Sequence, residues 1–201
     1  DDVYSYLIKE TLDPDGLELV TEFMNFDAYG NAQTVVDPRG NEKHYEYDAV
    51  DGLMTAQVEY VDLDDDGNLE EVRTEYEYDD RNNQTLIVKD AGGDQEVWVS
   101  MNYNPHDQLL SESYWDTESS QWFERQNFYD VNRNLSMEMD GNGGMVLYEY
   151  DAENQLTQRI FGWSEEDLNG LYSESLDYDL NGRLESMSFP NGSETRYVYD
   201  D

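Results

Sequence analysis

A Phe or Tyr followed by Asp or Asn recurs eight times along this 201-residue chain. Successive aromatic–Asp phrases lie 21 to 31 residues apart, and the shortest step is 21. The phrases are Phe26-Asp27, Tyr47-Asp48, Tyr78-Asp79, Tyr103-Asn104, Tyr129-Asp130, Tyr150-Asp151, Tyr178-Asp179 and Tyr199-Asp200. Self-similarity at a period of this length indicates a repeat protein. We therefore expect residues 1–201 to form a single repeat array with a base period of about 21 residues.

Each phrase predicts the end of one β-strand and the turn into the next. Tyr45-Glu46-Tyr47 places two tyrosines on one strand face and a glutamate on the opposite, solvated face. The following Asp can accept a hydrogen bond from its own backbone two residues on. Three residues after the Asp come mostly Gly, Asn or Asp, which tolerate positive φ. Arg133 is the exception, and the positive φ is expected at neighbouring Asn132 or Asn134 instead.

Second turns divide the shortest repeats into two strands. They are predicted at Asp37–Gly40, Asp140–Gly143 and Pro190–Gly192. Two strands per phrase give about sixteen strands, and no long segment has the apolar spacing of a helix. Because open twisted sheets rarely exceed about ten strands without curling, we expect an all-β ribbon that bends or spirals.

The most regular segment resembles a YD (Rhs) repeat. It comprises Tyr178-Asp179-Leu180-Asn181-Gly182-Arg183-Leu184, Pro190-Asn191-Gly192 and Tyr197-Val198-Tyr199-Asp200, and residues 26–201 keep the same phase. The resemblance implies antiparallel β-hairpin repeats in a curved or spiralling ribbon, part of a shell or filament. Such repeats occur in bacterial Rhs and wall-associated proteins, toxin-complex shell subunits and teneurins. The repeat-defining residues are Tyr47, Asp48, Tyr78, Asp79, Tyr129, Asp130, Tyr150, Asp151, Tyr178, Asp179, Gly182, Tyr199 and Asp200. Because the pattern stops in mid-unit, we expect a fragment of a longer chain.

Composition narrows the function classes. Eleven Lys and Arg against 48 Asp and Glu give a net charge of −37, which repels nucleic acid. No apolar stretch approaches the roughly 18 residues of a membrane span. The chain has no cysteine, so disulfides are excluded. Aromatic residues make up 13% of the chain, and their regular spacing favours a folded protein with an aromatic core over disorder.

One insert has the spacing of a calcium loop. Asp62, Asp64 and Asp66 occupy its first, third and fifth positions, and glycine occupies the sixth. The twelfth position is Arg73 rather than the usual Glu, although Glu70 could close a looser site. The alternative is an ordinary acidic hairpin tip. No cofactor is required, and calcium is the one cofactor that the sequence suggests.

Tryptophans in the inserts suggest a second kind of site. Trp115, Trp122 and Trp163 lie outside the repeated tyrosine positions and could stack on a sugar. Cross-strand packing of aromatic residues is the alternative. If the three rings lie exposed on one face, carbohydrate binding is favoured.

No catalytic motif is present, so we predict no enzyme activity. The first functional hypothesis is a non-catalytic structural segment of a large secreted or cell-surface YD-repeat protein, forming a toxin-encapsulating wall or an extracellular filament. Its partners would be neighbouring repeats of the same polypeptide or assembly. The alternative is an adhesion module that binds glycans or a cell-surface protein through the inserts, with calcium assisting.

Overall fold

The computed structural model describes residues 5–61, 68–116, 121–163 and 172–200. The chain divides into two compact units, Asp1–Ser100 and Met101–Asp201. The described residues form sixteen strands and no helix, which confirms the all-β prediction and the predicted number of strands. The described residues therefore contain no helix that is long and apolar enough to cross a membrane.

The first unit is an antiparallel sheet in which each strand pairs with the next one along the chain. Its strands are β1 (Lys9–Leu12), β2 (Leu19–Phe26), β3 (Ala32–Val36), β4 (Glu42–Tyr47), β5 (Met54–Val61), β6 (Glu70–Tyr78), β7 (Gln84–Lys89) and the first part of β8 (Val97–Tyr103). The fully described connections, such as residues 27–31, 37–41 and 79–83, are short turns rich in Asp, Asn and Gly, which favours pairing between successive strands.

The second unit repeats this arrangement. It contains the end of β8, β9 (Leu109–Asp116), β10 (Gln121–Tyr129), β11 (Leu135–Met139), β12 (Met145–Tyr150), β13 (Leu156–Gly162), β14 (Ser173–Tyr178), β15 (Leu184–Ser188) and β16 (Glu194–Arg196). Its pairs are likewise antiparallel.

A shift of register marks the repeated tyrosines. It falls immediately before Tyr47, Tyr78, Tyr129, Tyr150 and Tyr178, so each of these tyrosines pairs one residue out of step with its own strand. The turn that follows has a residue with positive φ. This combination is a turn closed by a β-bulge, which bends the strand and increases its twist.

The core is thinner than the sequence suggests. The buried apolar side chains of the described residues are Ala56, Val58, Val88, Ile160 and Leu176, all in central parts of strands. The repeated tyrosines are only half-buried, so the predicted aromatic core is wrong in detail. Because no helix of the described ranges packs on the strands, aliphatic side chains become buried only by their neighbours in the sheet, while the larger aromatic rings stay partly exposed.

Charged side chains complete the cover over Ala56. Ala56 lies on β5 between Glu46 of β4 and Glu75 of β6. The Arg73 guanidinium donates to both carboxylate oxygens of Glu46 at 2.8 and 2.7 Å, and to Glu75 at 2.7 Å. Because β5 lies between β4 and β6, the ion pair between Arg73 and Glu46 crosses above β5. It covers Ala56, which is 0% exposed.

Candidate functional site: the repeated tyrosine–aspartate motif

The hydroxyl group of each repeated tyrosine closes one hairpin against the previous one. The tyrosine ends an even-numbered strand, and its hydroxyl donates to the carbonyl of the first residue of the preceding odd-numbered strand. The contacts are Tyr47 to Ala32 (3.3 Å), Tyr78 to Met54 (2.9 Å), Tyr129 to Leu109 (2.9 Å), Tyr150 to Leu135 (2.9 Å) and Tyr178 to Leu156 (2.9 Å). Tyr199 makes the same contact with Leu184 at 2.8 Å, although it lies beyond β16.

Burial favours the protonated form of these phenols. It raises the pKa of Tyr78, Tyr129 and Tyr150 above the ordinary value of 10.0. A protonated hydroxyl is what donation to a carbonyl requires. The tyrosine contact is therefore maintained throughout the neutral and moderately alkaline range.

The Asp after each tyrosine organises the turn through one carboxylate oxygen. With Asp as the first residue of the turn, Oδ1 accepts the backbone N–H groups of the third and fifth residues. These bonds are 2.9 and 2.9 Å at Asp79, 2.8 and 2.8 Å at Asp130, and 2.9 and 2.9 Å at Asp179. Asn104 accepts the same two bonds at 2.8 and 3.2 Å, which explains why Asn can replace Asp.

Hydrogen bonding holds these carboxylates in the ionised form. The side-chain hydrogen bond from Asn83 lowers the pKa of Asp79, and the bond from Asn41 lowers the pKa of Asp37. At Asp179 the backbone bond from Arg183 is the largest cause of the lowered pKa. These carboxylates are stable acceptors rather than proton donors.

The fifth residue of the turn is a functional position that the sequence analysis missed. Its side chain binds the second oxygen of the Asp, as Asn83 does with Asp79 at 3.0 Å and Asn134 with Asp130 at 3.1 Å. Arg183 takes this role at Asp179 through Nε at 2.8 Å. The recurring Asn, Gln or Arg four residues after the Asp was the available sequence signal.

The fifth residue also joins consecutive turns. Its side-chain amide reaches the residue with positive φ, or its immediate surroundings, in the following repeat. The bonds are Asn31 to the Gly52 carbonyl (3.3 Å), Gln108 to the Arg133 carbonyl (2.8 Å), Asn134 to Asn154 Oδ1 (2.9 Å) and Gln155 to the Gly182 carbonyl (3.1 Å). Three of these bonds join consecutive turns of the second unit, and one joins the turns at Asp27 and Asp48 in the first unit.

The fourth residue of the turn has positive φ in most repeats, as predicted. Gly182 has a φ of 76° and Asn82 one of 67°. The expectation for Arg133 is wrong: Arg133 itself has a φ of 71°, so the positive φ is not displaced onto a neighbour. The register shift before Tyr129 fixes the length of the turn, and this outweighs the preference of arginine for negative φ. The turn at Asp48 is one residue longer and uses Gly52, with a φ of 74°.

The last phrase is the least regular. Tyr199 lies under the Arg183 guanidinium, which is 4.6 Å from the ring centroid. Asp200 follows it as an exposed residue. The ring and hydroxyl of Tyr199 keep the motif even though its strand is short.

The predicted calcium ligands fall mostly outside the described residues. Asp62, Asp64 and Asp66 lie in the undescribed range 62–67, while Glu70 is an exposed residue at the start of β6. Within the described ranges no group of three His, Asp or Glu side chains is arranged to hold a metal ion. The calcium site therefore stays a prediction.

The three tryptophans predicted to bind a sugar lie at two separate locations. Trp115 of β9 pairs directly with Trp122 of β10, and the rings meet edge to face at 5.6 Å. Trp122 is 53% exposed and Trp163 is 71% exposed. Trp163 lies two residues after Phe161, just beyond the end of β13. Trp115 and Trp122 lie on β9 and β10 and project from the sheet face opposite to Tyr114 and Phe123. The structure thus brings two of the three rings together and leaves Trp163 near a different set of residues.

Comparisons with known proteins bear on the fold. No family model and no curated protein matches the chain. A crystal structure of TcdB2-TccC3-Cdc42 matches 89% of the chain with a TM-score of 0.67 at 17% identity. A Photorhabdus luminescens Tc holotoxin pore with a TccC3 mutation also matches 89%, with a TM-score of 0.67 at 19% identity.

A third structure, TcdB2-TccC3 without its hypervariable C-terminal region, matches 90% of the chain with a TM-score of 0.59 at 13% identity. The chain spans only 9 to 12% of the length of these three chains. The recognition of YD repeats is therefore confirmed at the level of the fold: this chain is an array of antiparallel β-hairpin repeats with the fold found in the Tc toxin structures.

Proposed function

We propose that the chain is a non-catalytic wall segment of a larger, secreted or cell-surface YD-repeat protein, in which successive hairpins enclose a hollow shell. The observation that carries the proposal is the repeated tyrosine–aspartate motif. The same tyrosine-to-carbonyl bond recurs at six of the repeated positions between Tyr47 and Tyr199, so most of the YD hairpins are fixed to the one before them. A unit that attaches to its neighbour in one fixed way is suited to building an extended surface.

The protonation state of the turn carboxylates supports a non-catalytic role. A general acid needs a carboxyl group with a raised pKa. The pKa values of Asp37, Asp79 and Asp179 are lowered instead, because their oxygens accept hydrogen bonds within the turn. The oxygens of these three carboxylates therefore serve the geometry of the turns rather than proton transfer.

Neighbouring repeats are the proposed partners. In the strand order of the described residues, β16 pairs with β15 on one side only, and β1 pairs with β2 on one side only. The unpaired backbone groups of such edges favour further strands. The likeness to Tc toxin structures supports assembly of these strands with further repeats of a longer polypeptide.

The acidic surface supports an extracellular location. A net charge of −37 disfavours the compact state through self-repulsion, and this repulsion weakens as ionic strength rises. A saline exterior provides that screening. Fractionation of the source culture, with the parent protein detected by antibody, is expected to find it outside the cells or on their surface, and a purely cytoplasmic signal would reject this part of the proposal.

Electron microscopy of the intact parent protein tests the wall function. We expect particles with a protein wall around a central cavity, and an antibody against residues 121–163 is expected to label that wall. Solid globular particles would contradict the proposal. Extended fibres without a cavity would reject the shell and favour the filament.

A further inference from the structure

A groove of about 850 Å³ lies on one face of the second unit. Its floor is a row of cross-strand neighbours. Glu138 pairs with Val146, Val146 pairs with Phe161, and the Phe161 N–H donates to the Tyr172 carbonyl at 2.8 Å. Directly paired residues project from the same face, so these four side chains lie side by side.

Among the described residues, a glycine leaves the next row of the groove without a side chain. Met145 pairs with Gly162, which places Gly144 and Trp163 beside each other one position further along. Gly144 has no side chain to fill the space above the floor. Trp163 and Tyr172 form the rim, and they are 71% and 69% exposed.

An aspartate beside Gly144 differs from its counterparts in other turns. In the turn that begins at Asp37, the carboxylate Oδ2 accepts a bond of 2.7 Å from the Asn41 amide. Asp140 has Gly144 at the equivalent fifth position, so the turn supplies no side-chain donor to its Oδ2. Its Oδ1 still accepts the N–H groups of Asn142 and Gly144 at 2.8 and 2.9 Å. Asp140 lines the groove and offers it an acceptor.

The other charged groups of the groove compensate one another. Arg125 forms an ion pair with Glu138, and the Tyr148 hydroxyl donates to Glu138 at 2.5 Å. Burial and this bond raise the pKa of Tyr148 to about 12, so the donor stays protonated. Asp140 is thus the carboxylate of the groove without a cationic partner of its own in the described ranges.

We propose that this groove binds a neutral oligosaccharide, a function separate from the wall function. The apolar C–H face of a pyranose ring stacks on exposed aromatic rings such as Trp163 and Tyr172. The hydroxyl groups of the sugar donate to the Asp140 carboxylate and accept from the Arg125 guanidinium. The volume lies within the range of small-molecule sites and accommodates several sugar units.

Titration of the 201-residue chain with cellotetraose, maltotetraose and chitotetraose, followed by saturation-transfer NMR and calorimetry, tests the proposal. At least one probe is expected to bind with a dissociation constant of about 1 mM or below. Trp163→Ala and Tyr172→Ala are each expected to weaken that binding by about tenfold. Asp140→Asn is expected to weaken it while keeping the turn, because Asn104 supports the same turn geometry.

Two further variants make the test independent of folding. Gly144→Asn introduces the residue found in the Asp37 turn and places an amide on Asp140 in the groove, so it is expected to abolish binding. A Cβ at Gly144 would lie 2.6 Å from Asp140 Oδ2, so the carboxylate must turn slightly, and an unchanged midpoint of thermal unfolding is expected to show that the chain stays folded. Trp122→Ala removes an exposed tryptophan of the opposite face, and binding is expected to be unchanged.

Three results would overturn the proposal. One is the absence of binding by all three probes at about 10 mM. Another is loss of binding in Trp122→Ala together with its retention in Trp163→Ala. The third is binding of tetramethylammonium in the groove without binding of any saccharide, which would make it a cation site.

Discussion

Single side chains connect parts of the chain that are far apart in sequence. The Tyr150 hydroxyl reaches a carbonyl 15 residues back, and the Tyr78 hydroxyl reaches one 24 residues back. Such bonds contribute modestly when formed, but a half-buried carbonyl left without its donor destabilises the fold. The repeated tyrosine therefore acts through its hydroxyl group as well as through its ring.

Tyr150→Phe is expected to lower the free energy of unfolding by about 1–2 kcal/mol, because the ring is kept and the bond to the Leu135 carbonyl is lost. Urea denaturation followed by circular dichroism measures the change. Tyr114→Phe is the matched control: Tyr114 is exposed, and its ring stacks on Phe123, so a change below about 0.5 kcal/mol is expected. Equal losses in both variants would show that the hydroxyl contact is unimportant.

The turn carboxylates predict an acid-sensitive component of stability. The pKa of Asp79 is lowered from 3.8 in the folded protein, chiefly by the hydrogen bond from Asn83. Its contribution is therefore present above the ordinary value of 3.8 and is lost as the pH falls through the folded-state pKa. Asp79→Asn is expected to be less stable than the parent chain at neutral pH, and the difference is expected to shrink as the pH falls below 3.8.

The turn hydrogen bonds from Arg81 and Asn83 are accepted by Asp79, so Asp80→Asn removes the same charge from the second position of that turn without breaking them. It serves as the control in this pH series. Unfolding midpoints are measured by urea denaturation from pH 7 downwards. A difference between Asp79→Asn and the parent chain that does not change with pH would contradict the linkage.

At the scale of the element, the repeat is a hairpin whose turn and bulge are fixed together. The register shift before the tyrosine requires a turn residue with positive φ, whatever residue the sequence supplies. Gly182, Gly52 and Asn82 fit that requirement, whereas Arg133 does not. The local preference of one residue is thus overruled by the pairing of the strands on either side.

Arg133→Gly is expected to raise the free energy of unfolding by about 0.5–1 kcal/mol, since glycine adopts the φ of 71° without steric cost. Thermal and urea denaturation measure the gain. Arg133→Ala removes the same side chain but keeps the Cβ, so it is expected to give no comparable gain. A stabilising effect of similar size in both variants would mean that the charge, rather than the backbone, is responsible.

At the scale of the whole molecule, charge opposes compactness. The net charge of −37 is spread over strands whose alternate residues, such as Glu46, Glu77 and Glu149, are exposed. Among the described residues, the buried apolar side chains are five aliphatic ones, so the stabilising contribution of the core is modest. The balance between charge repulsion and core burial therefore depends on the ionic strength of the solution.

Sodium chloride is expected to raise the midpoint of thermal unfolding by at least about 2 °C between low and physiological ionic strength, because screening weakens the repulsion. Circular dichroism at several salt concentrations measures this shift. An unchanged midpoint would contradict the expectation.

Calcium chloride at equal ionic strength forms the second arm of the experiment. A larger shift that disappears in Asp64→Asn would support the predicted calcium loop, and identical curves would reject it.

Much of the fold follows from the sequence because the hairpin signals are local. The phrase Tyr-Asp and a glycine or asparagine three residues later specify a turn through bonds that span at most four residues. The alternation in Tyr45-Glu46-Tyr47 specifies which face each side chain occupies. Strand number, turn positions and antiparallel pairing were all predictable on this basis.

The sequence by itself therefore determined the hairpin repeat, its turns and its acidic surface. Only the tertiary structure decided which carbonyl each tyrosine reaches, which turns are joined by amides, and that Asp140, Trp163 and Tyr172 border one groove. These contacts depend on the register between strands, which the bulges shift by one residue at each tyrosine. A shift of that kind changes the partners across the sheet without changing the local pattern from which the strands are predicted.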